Sequence, residues 1–141
     1  MFKVKGWSAE RSGWRDAALS QRHRAWGIDV PAVDIDFLLV EYDNATPVAI
    51  IDYKHTRARA VDKGLASYIA LRKLGDTAGL PVFIVVYADD LCAWSVTGLN
   101  VHGKRMVPTV RCYSSELEYV TWLYELRGRS IPDHIVTSLS A

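Results

Sequence analysis

Asp36, Asp52 and Lys54 are the side chains of this 141-residue chain whose types and spacing could do chemistry together. They lie in residues 31–55, PAVDIDFLLVEYDNATPVAIIDYKH, where two apolar runs, 35–40 and 48–51, are separated by the turn formers Asp43 and Asn44. Continuous β-branched and aliphatic runs joined by such a turn predict an antiparallel hairpin. If the loop is residues 43–45, Tyr42 opposes Thr46, Asp36 opposes Asp52, and Asp34 opposes Lys54 on the same face. A loop one residue longer or shorter puts the two sets on opposite faces. In the first register three carboxylates and an ammonium share one patch. Carboxylates placed directly opposite one another repel, so the pair needs a divalent cation or a shared proton. Mg²⁺ takes carboxylate oxygens, water and substrate phosphate, and a lysine two residues on can reach the same phosphate or the attacking water. Phosphodiester hydrolysis is the chemistry that this group of side chains suits.

An acid leading an apolar strand, a hairpin, and then Asp52-Tyr53-Lys54 after a second apolar run resembles the PD-(D/E)xK nuclease superfamily. The resemblance covers roughly residues 8–90 and implies the restriction-endonuclease-like αβββαβ core, with a first core strand at residues 27–30. It implies that Asp36 or Asp34 is the first acid, Asp52 the second and Lys54 the lysine that activates water or stabilises the developing charge. Asp36 and Asp52, with the Tyr53 carbonyl, would hold Mg²⁺ or Mn²⁺, and Glu10 or Asp34 would complete the centre. The implied activity is metal-dependent cleavage of DNA, or of RNA, as a nuclease that often works as a homodimer and often belongs to a phage or mobile element. The alternative is an inactive module that keeps this fold and binds nucleic acid or a protein partner. A third reading is a plain interaction protein in which Asp52 and Lys54 form a surface pair worth under about 1 kcal/mol.

Charge is distributed to match a polyanionic substrate. The net charge is only +1, from 17 basic and 16 acidic residues. Basic residues nevertheless flank the acidic hairpin, with Arg22, His23 and Arg24 before it and Arg57, Arg59 and Lys63 after it. These six are the candidate phosphate-binding groups, because neutralised phosphates release counterions. His23, His55, His102 and His134 have no metal-ligand spacing; His55 is a candidate proton carrier beside Lys54 or an ordinary surface residue. With half of its residues hydrophobic, the chain reads as one domain, residues 1–141, with a real core. No apolar run approaches the ~20 residues of a membrane span, and MFKVKGW lacks the apolar core of a signal peptide, so a cytoplasmic protein is expected. Cys92 and Cys112 lack metal or redox spacing and read as reduced thiols.

The elements that must position these groups follow from caps and periodicity. Ser8 caps a helix predicted to run to Arg24 and to end at Gly27; Glu10, on its apolar stripe between Trp7 and Trp14, either complements the helix dipole or points at the centre. A second helix is predicted over residues 57–76, with Val61, Leu65, Tyr68, Ile69 and Leu74 as its buried side and Gly64 as a place of close approach. The apolar run 81–88 predicts a strand covered on both faces, residues 92–97 an antiparallel neighbour, and residues 104–113 an edge strand marked by Pro108. Ser115 and Glu118 make a capping box for a helix over residues 117–127, ended by Gly128. The tryptophans and tyrosines are expected to pack the core and its edges. The order predicts an α/β fold, on the border of α+β, with a mixed central sheet flanked by helices.

Overall fold

The computed structural model describes residues 18, 21–22, 25–27, 35–57 and 61–140. The proposed cap at Ser8, Glu10, most of the first helix and the strand at 28–30 lie outside the described residues. Of that helix, Ala18, Gln21, Arg22 and Ala25 are helical, the Trp26 N–H donates to the Arg22 carbonyl (3.0 Å), and Gly27 follows at φ +107°.

The described elements form a single α+β domain around a five-stranded mixed sheet in the order β1-β2-β3-β4-β5. The strands are β1 (Phe37–Glu41), β2 (Thr46–His55), β3 (Val82–Tyr87), β4 (Trp94–Gly98) and β5 (Arg111–Tyr113). β1 pairs antiparallel with β2, β2 parallel with β3, and β3 with β4 and β4 with β5 antiparallel. The parallel pair requires a crossover, which α1 (Ala66–Ala78) supplies. Three further helices are described: α2 (Val101–Met106), α3 (Glu116–Leu126) and α4 (Asp133–Leu139). None of the described helices is long and apolar enough to cross a membrane.

Period-two alternation divides the apolar side chains between two layers. Ile50, Val82 and Ile84 pack with Leu99 and with Tyr68 and Leu71 of α1 on one face. Ala49, Ile51, Phe83, Val85, Trp94 and Val96 pack with Val107 and with Tyr119 and Trp122 of α3 on the other. Each such fully buried side chain contributes about 1.5–3 kcal/mol. The aromatic residues concentrate on the α3 face, where the Trp94 and Tyr119 rings stack at 4.3 Å with 4° between their planes. β3 is central and covered on both sides, as its unbroken apolar run predicts.

The hairpin reaches its register by a route different from the one the sequence predicts. The turn is residues 42–45, one residue longer than expected, and Glu41 pairs with Thr46. The register shifts between Leu39 and Val40 because Val48 of β2 is an extra, bulged residue, so Val40 pairs with Pro47 but Leu39 pairs with Ala49. The extra β2 residue cancels the longer turn, and from Leu39↔Ala49 to Phe37↔Ile51 the pairs follow the register expected from the sequence. Pro47, which has no N–H to give the ladder, sits beside this irregularity. The turn itself is pinned by Glu41, whose Oε2 accepts from the Asp43 and Asn44 N–H groups (2.9 and 3.1 Å) and whose Oε1 accepts from Arg129 Nη2 (2.6 Å).

Other expectations need correction. The helix predicted from residue 57 begins at Ala66, because Asp62 Oδ1 accepts from the Gly64 N–H (2.9 Å) and holds an Asx turn there. Gly64 is therefore in the turn and not in the helix. The buried stripe of α1 is Tyr68, Leu71 and Gly75, while Leu65 and Leu74 are exposed. Residues 101–106 form α2 and leave only Arg111–Tyr113 as the edge strand. Asn100 is the reason: its Oδ1 accepts from the N–H groups of Gly103 (2.8 Å) and Val82 (2.9 Å), and its Nδ2 donates to the Leu80 carbonyl (2.7 Å). One buried amide thus caps α2 and ties it to the start of β3. Ser115 caps α3 by accepting from the Glu118 N–H (3.1 Å), but Glu118 returns to the Ser114 N–H (2.9 Å) rather than to Ser115. Cys92 and Cys112 are free and exposed, with Cys112 on the edge strand β5.

Gly75 is where the crossover helix meets the sheet most closely. A Cβ there would lie 2.3 Å from Val82 Cγ2 and 2.7 Å from Asn100 Nδ2. Replacing a helical glycine by alanine gains about 1 kcal/mol of propensity, whereas forcing extra volume into packed structure costs about 1–3 kcal/mol. The clash involves the buried Asn100 amide, so the cost wins. Gly75→Ala is expected to lower stability in a denaturant titration, and an unchanged or higher midpoint would show that the contact relaxes freely.

Candidate functional site

The restored register decides what meets what at the end of the hairpin. Phe37 opposes Ile51, so one step outward Asp36 opposes Asp52, on the face that α1 covers. Asp36 lies immediately before β1 and is exposed; Asp52 lies within β2 and is 6 % exposed. Asp36 Oδ2 accepts from the Tyr53 N–H (3.1 Å), which closes the edge of β2 just beyond the last paired residue of β1. A strand residue directs its N–H and C=O to the same side, so the Tyr53 carbonyl also faces the Asp36 edge. The Tyr53 ring points the other way. Its hydroxyl is 2.5 Å from that of Tyr119 in the α3 layer, and burial raises its pKa. Any contribution of Tyr53 to the centre is therefore made by its backbone.

Lys54, two residues after Asp52, lies on the same face with its Nζ 3.6 Å from Asp52 Oδ2. Tyr68 of α1 donates its hydroxyl to the same oxygen (3.2 Å), and its ring lies 6.0 Å from Lys54 Nζ. Burial is the largest influence on Asp52 and raises its pKa; Asp36 raises it further by hydrogen bonding and by charge, while Lys54 and Tyr68 pull it down. The net shift is upward. Burial, the Asp52 charge and hydrogen bond, and the Asp36 charge push the Tyr68 hydroxyl up to about 12, so it remains a donor across the physiological range.

A buried carboxylate whose ionisation a facing carboxylate opposes is a site that a proton or a cation relieves, and Mg²⁺ is commonly held by one or two carboxylates with water and phosphate filling the rest. Asp36, Asp52 and the Tyr53 carbonyl fit that requirement. Among the described residues there is no group of three histidine, cysteine or acidic side chains that could hold a metal, and Glu10 and Asp34, the expected completing acids, lie outside the described residues.

The structure brings Asp36, Asp52 and Lys54 together and leaves other expected groups apart. Arg57 is bound through Nη2 to Asp89 Oδ2, and Asp89 Oδ1 also takes His55 Nε2. His55 Nδ1 accepts from the Arg57 N–H (2.9 Å), and the ring packs edge-on to Tyr87 (5.3 Å). His55 therefore belongs to the face opposite Lys54 and cannot relay its proton. Lys63 is exposed in the turn before α1, and Arg22 is exposed. His23, Arg24 and Arg59 lie outside the described residues. Tyr68 is the group that sequence reasoning missed as a participant. Its signal was a lone hydroxyl on a buried helical stripe, where a tyrosine needs a polar partner. No family model, curated protein or solved structure matches this chain.

Two outcomes follow in metal-free protein. Asp52 has a folded-state pKa above its ordinary value of 3.8, so its stabilising protonated form is fully populated below that value and is lost as pH rises through the folded pKa. Asp52→Asn, which cannot ionise, is expected to be more stable than the wild type at neutral pH with chelator present. Melting curves across pH check this, and a destabilised Asp52→Asn would identify Asp52 as a structural partner of Lys54. Tyr68→Phe removes a donor that favours the carboxylate, so a carboxyl NMR titration should show the Asp52 midpoint moving higher; a lower or unmoved midpoint would contradict the contact's role.

Proposed function

We propose that this protein is a metal-dependent nuclease of the PD-(D/E)xK kind, hydrolysing phosphodiester bonds in DNA, with RNA as the second substrate to be tested. The observation that carries the reading is the meeting of Asp36 with Asp52 while Lys54 lies 3.6 Å from the same Asp52 carboxylate. The order of the described elements supports it, since the β1–β2 hairpin, the α1 crossover and parallel β3 supply the ββαβ portion of an αβββαβ core.

Each side chain then has a role set by its position. Asp36 and Asp52, with the Tyr53 carbonyl, would hold the cation, and Mg²⁺ or Mn²⁺ bound there supplies Lewis-acid polarisation of the phosphate and an acidified water. Lys54 places its ammonium where it orients the attacking water and balances charge that develops on the phosphate oxygens. Tyr68 fixes Asp52 through Oδ2 and favours its ionised form. Asp36 is held by the Tyr53 N–H, so neither carboxylate depends on a mobile loop for its orientation.

Labelled single-stranded, duplex and branched DNA and RNA, incubated with Mg²⁺ or Mn²⁺, test the reading. Lys54→Ala is expected to reduce the rate by about 10²–10⁴, the range that a positioned proton-transfer or charge-stabilising group supplies, while keeping the fold. Asp52→Ala should remove metal-dependent cleavage. Wild-type rates in purified Lys54→Ala would overturn the mechanism, and nucleic-acid binding without cleavage by the wild type would favour an inactive module with the same architecture.

A further inference from the structure

We propose that the groove between α1 and α2 holds the phosphodiester backbone of a nucleic-acid strand, as an anion-binding track separate from the carboxylate centre. That the held strand is a substrate rests on the nuclease reading; that the groove binds it does not. The groove has a volume of about 450 Å³ and is lined by Arg72 and Asp76 of α1 and by Lys104 and Arg105 of α2, with Leu99 and Val101 beside them. Its charge is three cations against one carboxylate.

Several other surface cations are already neutralised. Lys54, Arg57 and Arg129 are each bound to a carboxylate. Among the described residues, the charged groups of Arg72, Lys104 and Arg105 have no ion-pair or hydrogen-bond partner, although Asp76 lines the same groove and Arg72 is half-buried. Converging positive charge that its own protein leaves unneutralised is what an anionic ligand requires. Arginine adds a planar fork that matches two phosphate oxygens at once. The Asn100 amide is committed to the backbone of Leu80, Val82 and Gly103, so the groove's ligand chemistry comes from its cations.

Both walls sit close against the sheet. Gly75 lets α1 seat against Val82 and Asn100, and a Cβ on Gly103 would lie 2.4 Å from the Val82 carbonyl oxygen, so both helices are fixed on the sheet. Tyr68, Arg72 and Asp76 follow one another at one-turn intervals along α1, and Tyr68 touches Asp52. At about 1.5 Å per residue the groove begins about 6–12 Å along the helix from the carboxylates, or two to four nucleotides at about 3.4 Å each. A strand with one phosphate at Asp52 therefore runs along α1 into the cationic groove.

The test is fluorescence anisotropy of a labelled 16-nucleotide DNA, single-stranded in one arm and duplex in the other, with chelator present so that no cleavage intervenes. Each neutralised phosphate contributes about 0.7 to the logarithmic salt slope for single strands and about 0.9 for duplex. The triple variant Arg72→Gln/Lys104→Gln/Arg105→Gln should lose about 2 units of slope on the single strand or about 3 on the duplex, and the arm that shows the loss identifies the form held. Asp76→Asn should bind more tightly than wild type at every salt concentration, a gain that damage to the fold does not produce. If the triple variant melts early, Lys104→Gln/Arg105→Gln, at exposed positions, should lose about two-thirds as much slope. An unchanged slope in both arms, no gain from Asp76→Asn, or no binding of either probe by wild type at low salt would each overturn the proposal. Groove-dependent binding by a protein that never cleaves would leave the groove standing and remove the nuclease reading; cleavage with an unchanged slope would do the reverse.

Discussion

Like charges placed opposite one another in an antiparallel pair are unfavourable, yet β1 and β2 pair so that Asp36 faces Asp52. The rest of the site depends on that register. A slip of one residue would turn Asp52 and Lys54 to the α3 layer and send Ala49 and Ile51 to the α1 layer, exchanging the two cores. The apolar content of both layers therefore holds the carboxylates together against their repulsion. Burial, which stabilises the sheet, is also the largest influence raising the Asp52 pKa.

The carboxylate and its partners come from elements fixed for other reasons. α1 crosses between two parallel strands and is seated by Gly75, which delivers Tyr68 to Asp52 from above the sheet. Lys54 follows Asp52 by the strand's own period, so their approach needs no loop. On the far face Tyr53 and Tyr119 join their hydroxyls beneath the same strand, and Arg129 holds the distant hairpin turn through Glu41. The middle of β2 is thus clamped from both layers, which leaves its end as the place where polar groups gather.

How much of this could be read from residues alone depended on whether the signal was local. The apolar runs of β1, β2 and β3, the Ser115 cap and the glycine end at Gly128 are local, and the structure carries them. The turn is one residue longer than its local propensities predict, and the register survives only because the bulge at Val48 cancels the difference, which no local propensity announces. Residues 101–106 are helical where the local pattern predicts strand, because Asn100 caps them and is held by contacts with Val82 and Leu80 that exist only in the folded sheet. α1 starts later than its periodicity predicts because the Asp62 side chain competes with the helix for backbone N–H groups. That Asp52 and Lys54 share a face is readable from alternation, whereas the pairing of Asp36 with Asp52 depends on the bulge, and Tyr68, Arg72, Lys104 and Arg105 belong to elements whose relative placement is tertiary.

The central claim is that Asp36 and Asp52 act as one cation-binding unit, and a double-mutant cycle on Mn²⁺ affinity tests it most directly. Calorimetric titration of wild type, Asp36→Asn, Asp52→Asn and the double variant measures whether the two losses are independent. One shared cation requires that either single substitution remove most of the affinity and that the second add little. Losses that simply add, or Mn²⁺ affinity retained by both single variants, would mean that the two carboxylates do not share a metal, and the proposed centre would be wrong.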